Sequence, residues 1–296
     1  MLNSYHEPIR RPFKLMWVIA ACMLFAVSSA VSVHAVPGDL VASIPLSVPG
    51  DGVSIAVGCE PTVLYYTVGF SSLLHSMDKT GAHIASVPIL TAAGAPITID
   101  EMSYDLVNDV LWGVEHGSNP ENVWKINKTT GVATFAFTSA TFSVGTYRDG
   151  LAVDASDQTL WISADVSTTI EHYTQAGGLL PTITPKDAAG NTLGSISGVS
   201  AGIGDLLYLG RNGLGQIVRV KKSDGSFISS FASPGGRDEG LECDATSFAP
   251  KLVLWSRDFF SPGHVDAIEI EAGTCKCGGV TPTQPSTWGS LKARYR

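Results

Sequence analysis

Leu64-Tyr65, Leu111-Trp112, Leu160-Trp161, Leu207-Tyr208 and Leu254-Trp255 place a leucine directly before a large aromatic five times, with the aromatics 47, 49, 47 and 47 residues apart. A spacing that regular marks a repeat architecture. Each pair sits in a short run of β-branched and aromatic residues, such as Thr62-Val63-Leu64-Tyr65-Tyr66 or Thr159-Leu160-Trp161-Ile162. Such runs are composed as strands and are too short for helices.

Working outward, a second apolar stretch precedes each pair, as in Leu151-Ala152-Val153 and Leu241-Glu242-Cys243. A third follows it, as in Ile170-Glu171-His172-Tyr173 and Ile217-Val218-Arg219-Val220. A polar turn ending in glycine then recurs (Asp78-Lys79-Thr80-Gly81, Lys128-Thr129-Thr130-Gly131, Ser223-Asp224-Gly225) and leads into a fourth strand. Glycine supplies the positive φ that tight hairpins need. Four antiparallel strands per unit make the blade of a β-propeller.

The fifth unit has no fourth strand after Thr274-Cys275. Val41-Ala42-Ser43-Ile44-Pro45 repeats the fourth strand Ile84-Ala85-Ser86-Val87-Pro88, with Gly38 preceding it as Gly81 precedes its counterpart. The reading is therefore an all-β, five-bladed propeller over 36–277, closed by the N-terminal strand completing the last blade. Closure removes exposed sheet edges. Six or more blades and an open solenoid are the alternatives, but past the N-terminal segment, which holds Leu24-Phe25, there is no sixth Leu-aromatic pair.

Residues 1–35 read as a signal peptide: Arg10, Arg11 and Lys14 precede an apolar run from Leu15 to Val27 and a small-residue exit at Val33-His34-Ala35. The expected location is secreted, extracellular or periplasmic. An uncleaved membrane tether is the alternative, against which the run is shorter than the roughly 20 residues of a spanning helix. Arg10-Arg11 as a twin-arginine signal and Cys22 as a lipoprotein cysteine are weaker readings. Removal of the segment leaves 16 basic against 26 acidic residues. That balance argues against nucleic acid and anionic membrane as partners. Residues 278–296 read as a polar, proline-spaced linker and a basic tail carrying Lys292, Arg294 and Arg296.

Alignment of the units on the aromatic brings Asp100, Asp149 and Glu239 to the same place, just ahead of the innermost strand. These three carboxylates are expected to face one another across the channel mouth. Clustered carboxylates repel, and the usual remedies are a bound cation, a raised pKa or an intruding basic group. A divalent cation such as calcium is the cofactor this arrangement suggests. Loops at the same rim contribute Glu115, His116, Asp165, Arg211, Arg257 and Asp258. Solvated strand-starting carboxylates are the plainer alternative.

Loss of Cys22 with the signal leaves four cysteines, an even number suited to an oxidising compartment. Cys59, Cys243, Cys275 and Cys277 are expected near the seam of the ring, opposite the acidic mouth. Cys243–Cys275 with Cys59–Cys277 is the favoured pairing of three. A four-cysteine zinc site lacks a second close pair to match Cys275-x-Cys277.

Arg148-Asp149-Gly150-Leu151-Ala152-Val153-Asp154 and Asp238-Glu239-Gly240-Leu241-Glu242-Cys243-Asp244 resemble the blade-opening motifs of NHL, virginiamycin-lyase-like and gluconolactonase-like propellers. The resemblance implies that Glu239 and Asp149 are metal-binding carboxylates and brings a lactonase-like activity into consideration. It spans the repeat region on short motifs, and no counterpart of the family's asparagine ligand stands out. The functional expectation is a secreted binding protein that takes a protein or small-molecule ligand at an acidic mouth. An extracellular metal-dependent hydrolase or lyase on the same carboxylates, and a structural cell-envelope module, are the alternatives.

Overall fold

The computed structural model describes residues 35–275 except 60, 70, 118–119, 141–146 and 260–262. The expected signal peptide up to residue 34, the linker and basic tail, and Cys277 lie outside the described residues. Among the described residues twenty-one strands form five sheets, with no helix.

The chain opens with β1 (Leu40–Pro45), which belongs to the last blade. Blade one contains β2 (Ala56–Cys59), β3 (Thr62–Tyr66), β4 (Leu73–Asp78) and β5 (His83–Pro88). The short β6 (Leu90–Thr91) precedes blade two, made of β7 (Ile99–Asp105), β8 (Val110–Glu115), β9 (Asn122–Ile126) and β10 (Val132–Thr138). Blade three holds β11 (Gly150–Asp154), β12 (Thr159–Ser163), β13 (Ile170–Thr174) and β14 (Leu179–Ile183). Blade four holds β15 (Ile196–Ala201), β16 (Leu207–Arg211), β17 (Gln216–Val220) and β18 (Phe227–Ala232). Blade five holds β19 (Asp238–Phe248), β20 (Lys251–Asp258) and β21 (His264–Ile270).

Each blade is an antiparallel meander, and β1 pairs antiparallel with β21, Ala42 opposite Ala267 and Ile44 opposite Val265. The N-terminal strand thus completes blade five. Blade two departs from the four-strand plan, because β6 adds to its outer edge parallel to β10. The innermost strands β2, β7, β11, β15 and β19 adjoin one another in a ring, β19 meeting both β15 and β2.

The core consists of five apolar clusters, one between each pair of neighbouring blades. Period-two alternation sends successive residues of a strand to opposite faces, so each Leu-aromatic pair serves two clusters at once. Leu64 packs with Trp255, and Tyr65 with Leu111. Trp112 packs with Leu160, Trp161 with Leu207, and Tyr208 with Leu254. Each leucine meets the aromatic of the preceding blade, and burying it contributes roughly 1.5–3 kcal/mol. Two tryptophans do more: Trp112 Nε1 donates to Asp105 Oδ2 at 3.2 Å, and Trp255 Nε1 to Asp244 Oδ2 at 2.8 Å. Asp105 ends β7 and Asp244 lies within β19, and each accepts backbone N–H bonds from the residues two and three positions on.

A five-bladed ring brings the inner strands very close. A Cβ on Gly240 would fall 2.0 Å from Val53 O, and one on Gly150 2.3 Å from Ser197 O. The glycines after Asp149 and Glu239 are therefore a requirement of ring closure. Near the seam, Cys243 and Cys275 form a disulfide with Cα atoms 5.5 Å apart. Cys59 is also disulfide-bonded, and the expected Cys59–Cys277 pairing involves a residue outside those described.

Candidate channel-mouth site

β-Bulges at the channel mouth place two of its acids. In β7, Ile99 opposes Glu115 and Glu101 opposes Val114, leaving Asp100 as the extra residue. In β19, Asp238 opposes Asp258 and Gly240 opposes Arg257, leaving Glu239 extra. A bulge re-aims the side chain it inserts. Asp149 immediately precedes β11, and Asp165 lies in the loop after β12.

Asp149, Asp165 and Glu239 converge: one carboxylate oxygen from each lies within 4.8 Å of the others. Glu239 is fully buried and Asp149 nearly so. Asp165 Oδ1 accepts from Ser197 Oγ and Asn212 Nδ2, both at 3.0 Å. Asp100 lines the same cavity, but its carboxylate is paired with His116, Oδ2 to Nδ1 at 3.0 Å. The cavity measures about 340 Å³, with Val53, Tyr147 and Phe259 completing its wall.

Arg237 reaches into this acidic group. Its Nε pairs with Glu239 Oε1, and its Nη2 lies 3.4 Å from Asp149 Oδ2 and 3.3 Å from Asp165 Oδ2. The guanidinium sits 5.1 Å from the centroid of the Phe259 ring. Asp258 Oδ2 accepts the Arg237 and Gly236 backbone N–H groups and so fixes the approach.

Burial, then the charges of Glu239, Asp100 and Asp165, hold the Asp149 carboxyl far above the usual carboxylate range. Burial also raises Glu239, against the opposing pull of Arg237. Such shifts follow when like charges share a desolvated site. The hydrogen bond that His116 donates to Asp100 raises the His116 pKa, and its ring stacks on Tyr147 at 4.9 Å. The raised Asp149 carboxyl also hydrogen-bonds Glu239 and, with Arg237, pulls the Glu239 pKa back down.

The remaining rim expectations fall elsewhere. Glu115 Oε2 accepts from Asn122 Nδ2 and Trp124 Nε1 on its own blade. Arg211 lines a separate groove with Asp187 and Phe227 and donates to Gly194 O and Gln216 Oε1. Arg257 is fully buried between blades five and one. It donates to the carbonyls of Gly50, Asp51, Ser54 and Thr67, and burial pushes its pKa down to about 10. Asp258 supports the Arg237 loop. The residues missing from the sequence reading are Arg237, Tyr147 and Phe259. Only Arg237 carried a signal, as a cation two positions before Glu239.

Toward the opposite end, Glu242 Oε2 accepts from Ser103 Oγ and Tyr104 N, both at 3.0 Å, linking blade five to blade two. Ser103 Oγ also accepts Val153 N at 3.0 Å from blade three. A cavity of only about 30 Å³ lies there, lined by Glu242, Asp154, Cys59 and Cys243.

No family model matches the chain, and no curated protein matches it in sequence. Solved structures do match its fold. A luciferin-regenerating enzyme aligns over 80% of this chain and 98% of its own, at 10% identity and TM-score 0.52. Myxococcus xanthus glutaminyl cyclase aligns over 79% and 97%, at 10% identity and TM-score 0.54. The calcium-binding protein regucalcin from Agrobacterium tumefaciens aligns over 81% and 96%, at 12% identity and TM-score 0.53. At such identities the likeness is one of fold.

Proposed function

We propose that the protein is a secreted propeller-type binding protein whose channel mouth takes a divalent cation, calcium in the first instance. The observation that carries the reading is the convergence of Asp149, Asp165 and Glu239 within 4.8 Å. Ligand oxygens on opposite sides of an ion bound at about 2.3–2.6 Å are spaced in this way. The donor set fits the ion: all oxygen and largely buried. The three carboxylates would hold the cation, which would in turn offset their mutual repulsion. Regucalcin, a calcium-binding protein with the same fold, is in keeping with this reading but does not carry it.

Secretion is supported by the basic-apolar-small N-terminal segment and by the disulfide-bonded state of Cys59, Cys243 and Cys275. Among the described residues no helix is long and apolar enough to cross a membrane. A protein or small-molecule partner would meet the same face, where Tyr147 and Phe259 adjoin the acids.

The test is calorimetric titration of the full chain with calcium. The account expects one saturable site, lost in the Asp149→Asn/Glu239→Gln double variant while thermal unfolding stays cooperative. No binding by the wild type, or unchanged binding by the variant, contradicts it.

One observation favours a second reading, that of a hydrolase or lyase on the same carboxylates. Asp100 fixes the Nδ1–H tautomer of His116 at the cavity wall, which is how a general base is oriented. This reading predicts turnover in a panel of esters and lactones that His116→Gln abolishes without weakening calcium binding. A panel without turnover removes it.

A further inference from the structure

The cation position among the three carboxylates is filled by a side chain of the same molecule. We propose that Arg237 is the specificity-determining residue of the mouth, a resident monovalent competitor that admits multivalent metal cations and excludes sodium, potassium and ammonium. This rests on the cation-binding reading above and assigns that site its selectivity.

An entering ion must replace the contacts that Arg237 already makes. The guanidinium engages Glu239, Asp149 and Asp165 together and lies over the Phe259 ring. Hydrogen bonds between charged groups are each worth about 1.5–3 kcal/mol net. Any entering ion must shed hydration, a divalent ion more than a monovalent one, but a monovalent ion brings no more charge than the group it displaces. Coulomb energy scales with the product of the charges, so a divalent ion doubles the attraction to the same carboxylates.

Arg237 also leaves the site incompletely satisfied. Its Nη2 lies 3.4 Å from Asp149 and 3.3 Å from Asp165, beyond the usual N–H···O range. A planar guanidinium has its donors in one plane and meets these acids only at that length, whereas a metal ion accepts oxygens from all directions.

The route of exchange follows from how Arg237 is held. Its backbone N–H is fixed by Asp258 Oδ2 at 3.0 Å, and Gly235 is packed where a Cβ would fall 2.9 Å from that same oxygen. The loop backbone therefore stays in place. The side chain, about one-fifth exposed on the open side of the cavity, is the part that leaves.

The experiment is calorimetric calcium titration of the full wild-type chain, Arg237→Gln and Arg237→Lys, each in choline chloride and in potassium chloride at equal ionic strength. Loss of the charge-assisted bonds of Arg237 should tighten calcium binding by about tenfold or more in Arg237→Gln. Potassium should weaken calcium binding to that variant and leave the wild type unchanged. Arg237→Lys keeps the charge without the fork and should fall between the two, so it serves as the test if the glutamine variant does not fold. Binding to both variants at wild-type affinity overturns the inference and leaves the cation reading standing. Equal tightening in the lysine and glutamine variants also overturns it, since charge would then not be the competitor. No calcium binding by any of the three overturns both.

Discussion

At the residue scale, the chain keeps more ionisable groups inside its ring than an inert core would. Glu242 is the clearest case outside the mouth. Burial raises its pKa to about 8, although it accepts bonds from Ser103 and Tyr104. A carboxyl raised in the folded state binds a proton that the unfolded chain, with a pKa of about 4.3, has already released. Stability must therefore fall as pH rises from about 4.3 to about 8 and level off above that. Glu242→Gln keeps an acceptor oxygen for both donors and removes the titration. Its melting temperature, measured from pH 5 to 9, should depend less on pH than that of the wild type and should exceed it at the alkaline end. Parallel profiles would refute this.

Single residues also separate what could be read in advance from what could not. Asp149 and Glu239 were placed by aligning repeats, because each opens an inner strand before a glycine. Asp165 was legible only as a rim residue, since a loop has no period to fix its aim. Asp100 was expected in the central group but pairs with His116 instead. Its bulge adds one unpaired residue, and nothing in a strand's alternation announces such an addition. Arg237 was missed because its role depends on acids from two other loops.

At the scale of elements, the Leu-aromatic pair is the working unit of the fold. Its two side chains face opposite sides of one strand and tie each blade to both neighbours. The spacing and strand composition of the pair were visible in the sequence, as were the hairpin glycines. The added β6 strand was not, since a two-residue parallel pairing leaves no pattern. The inner-strand glycines yield a direct prediction. Gly240→Ala would place a Cβ 2.0 Å from Val53 O, whereas Gly94→Ala meets nothing within 4 Å. Gly94 has φ +85°, so alanine there should cost about 1 kcal/mol through backbone strain alone. Gly240→Ala should cost at least about 3 kcal/mol, because two inner strands must separate. Equal destabilisation in urea unfolding would contradict the close-packed ring.

At the scale of the whole molecule, closure across the chain ends organises everything else. β1 completes blade five, and the Cys243–Cys275 disulfide, 32 residues apart in sequence, ties the end of that blade to its inner strand. The likeness of Val41–Pro45 to Ile84–Pro88, with no strand-like run between Cys275 and the proline-spaced linker, made this closure legible in the sequence. Chain-entropy arguments put such a cross-link at about 3–4 kcal/mol. The Cys243→Ser/Cys275→Ser double variant should lose stability on that order, measured by denaturant unfolding. A negligible loss would mean that β1 alone secures the seam.

Closure also creates the mouth, since only a complete ring brings acids from blades three and five together around Arg237. The most direct test is diffraction from crystals grown with manganese, using its anomalous signal to locate the ion. The account predicts one strong peak among Asp149, Asp165 and Glu239, with the Arg237 guanidinium withdrawn from between them. A mouth without a peak, and Arg237 still paired with Glu239, would contradict it.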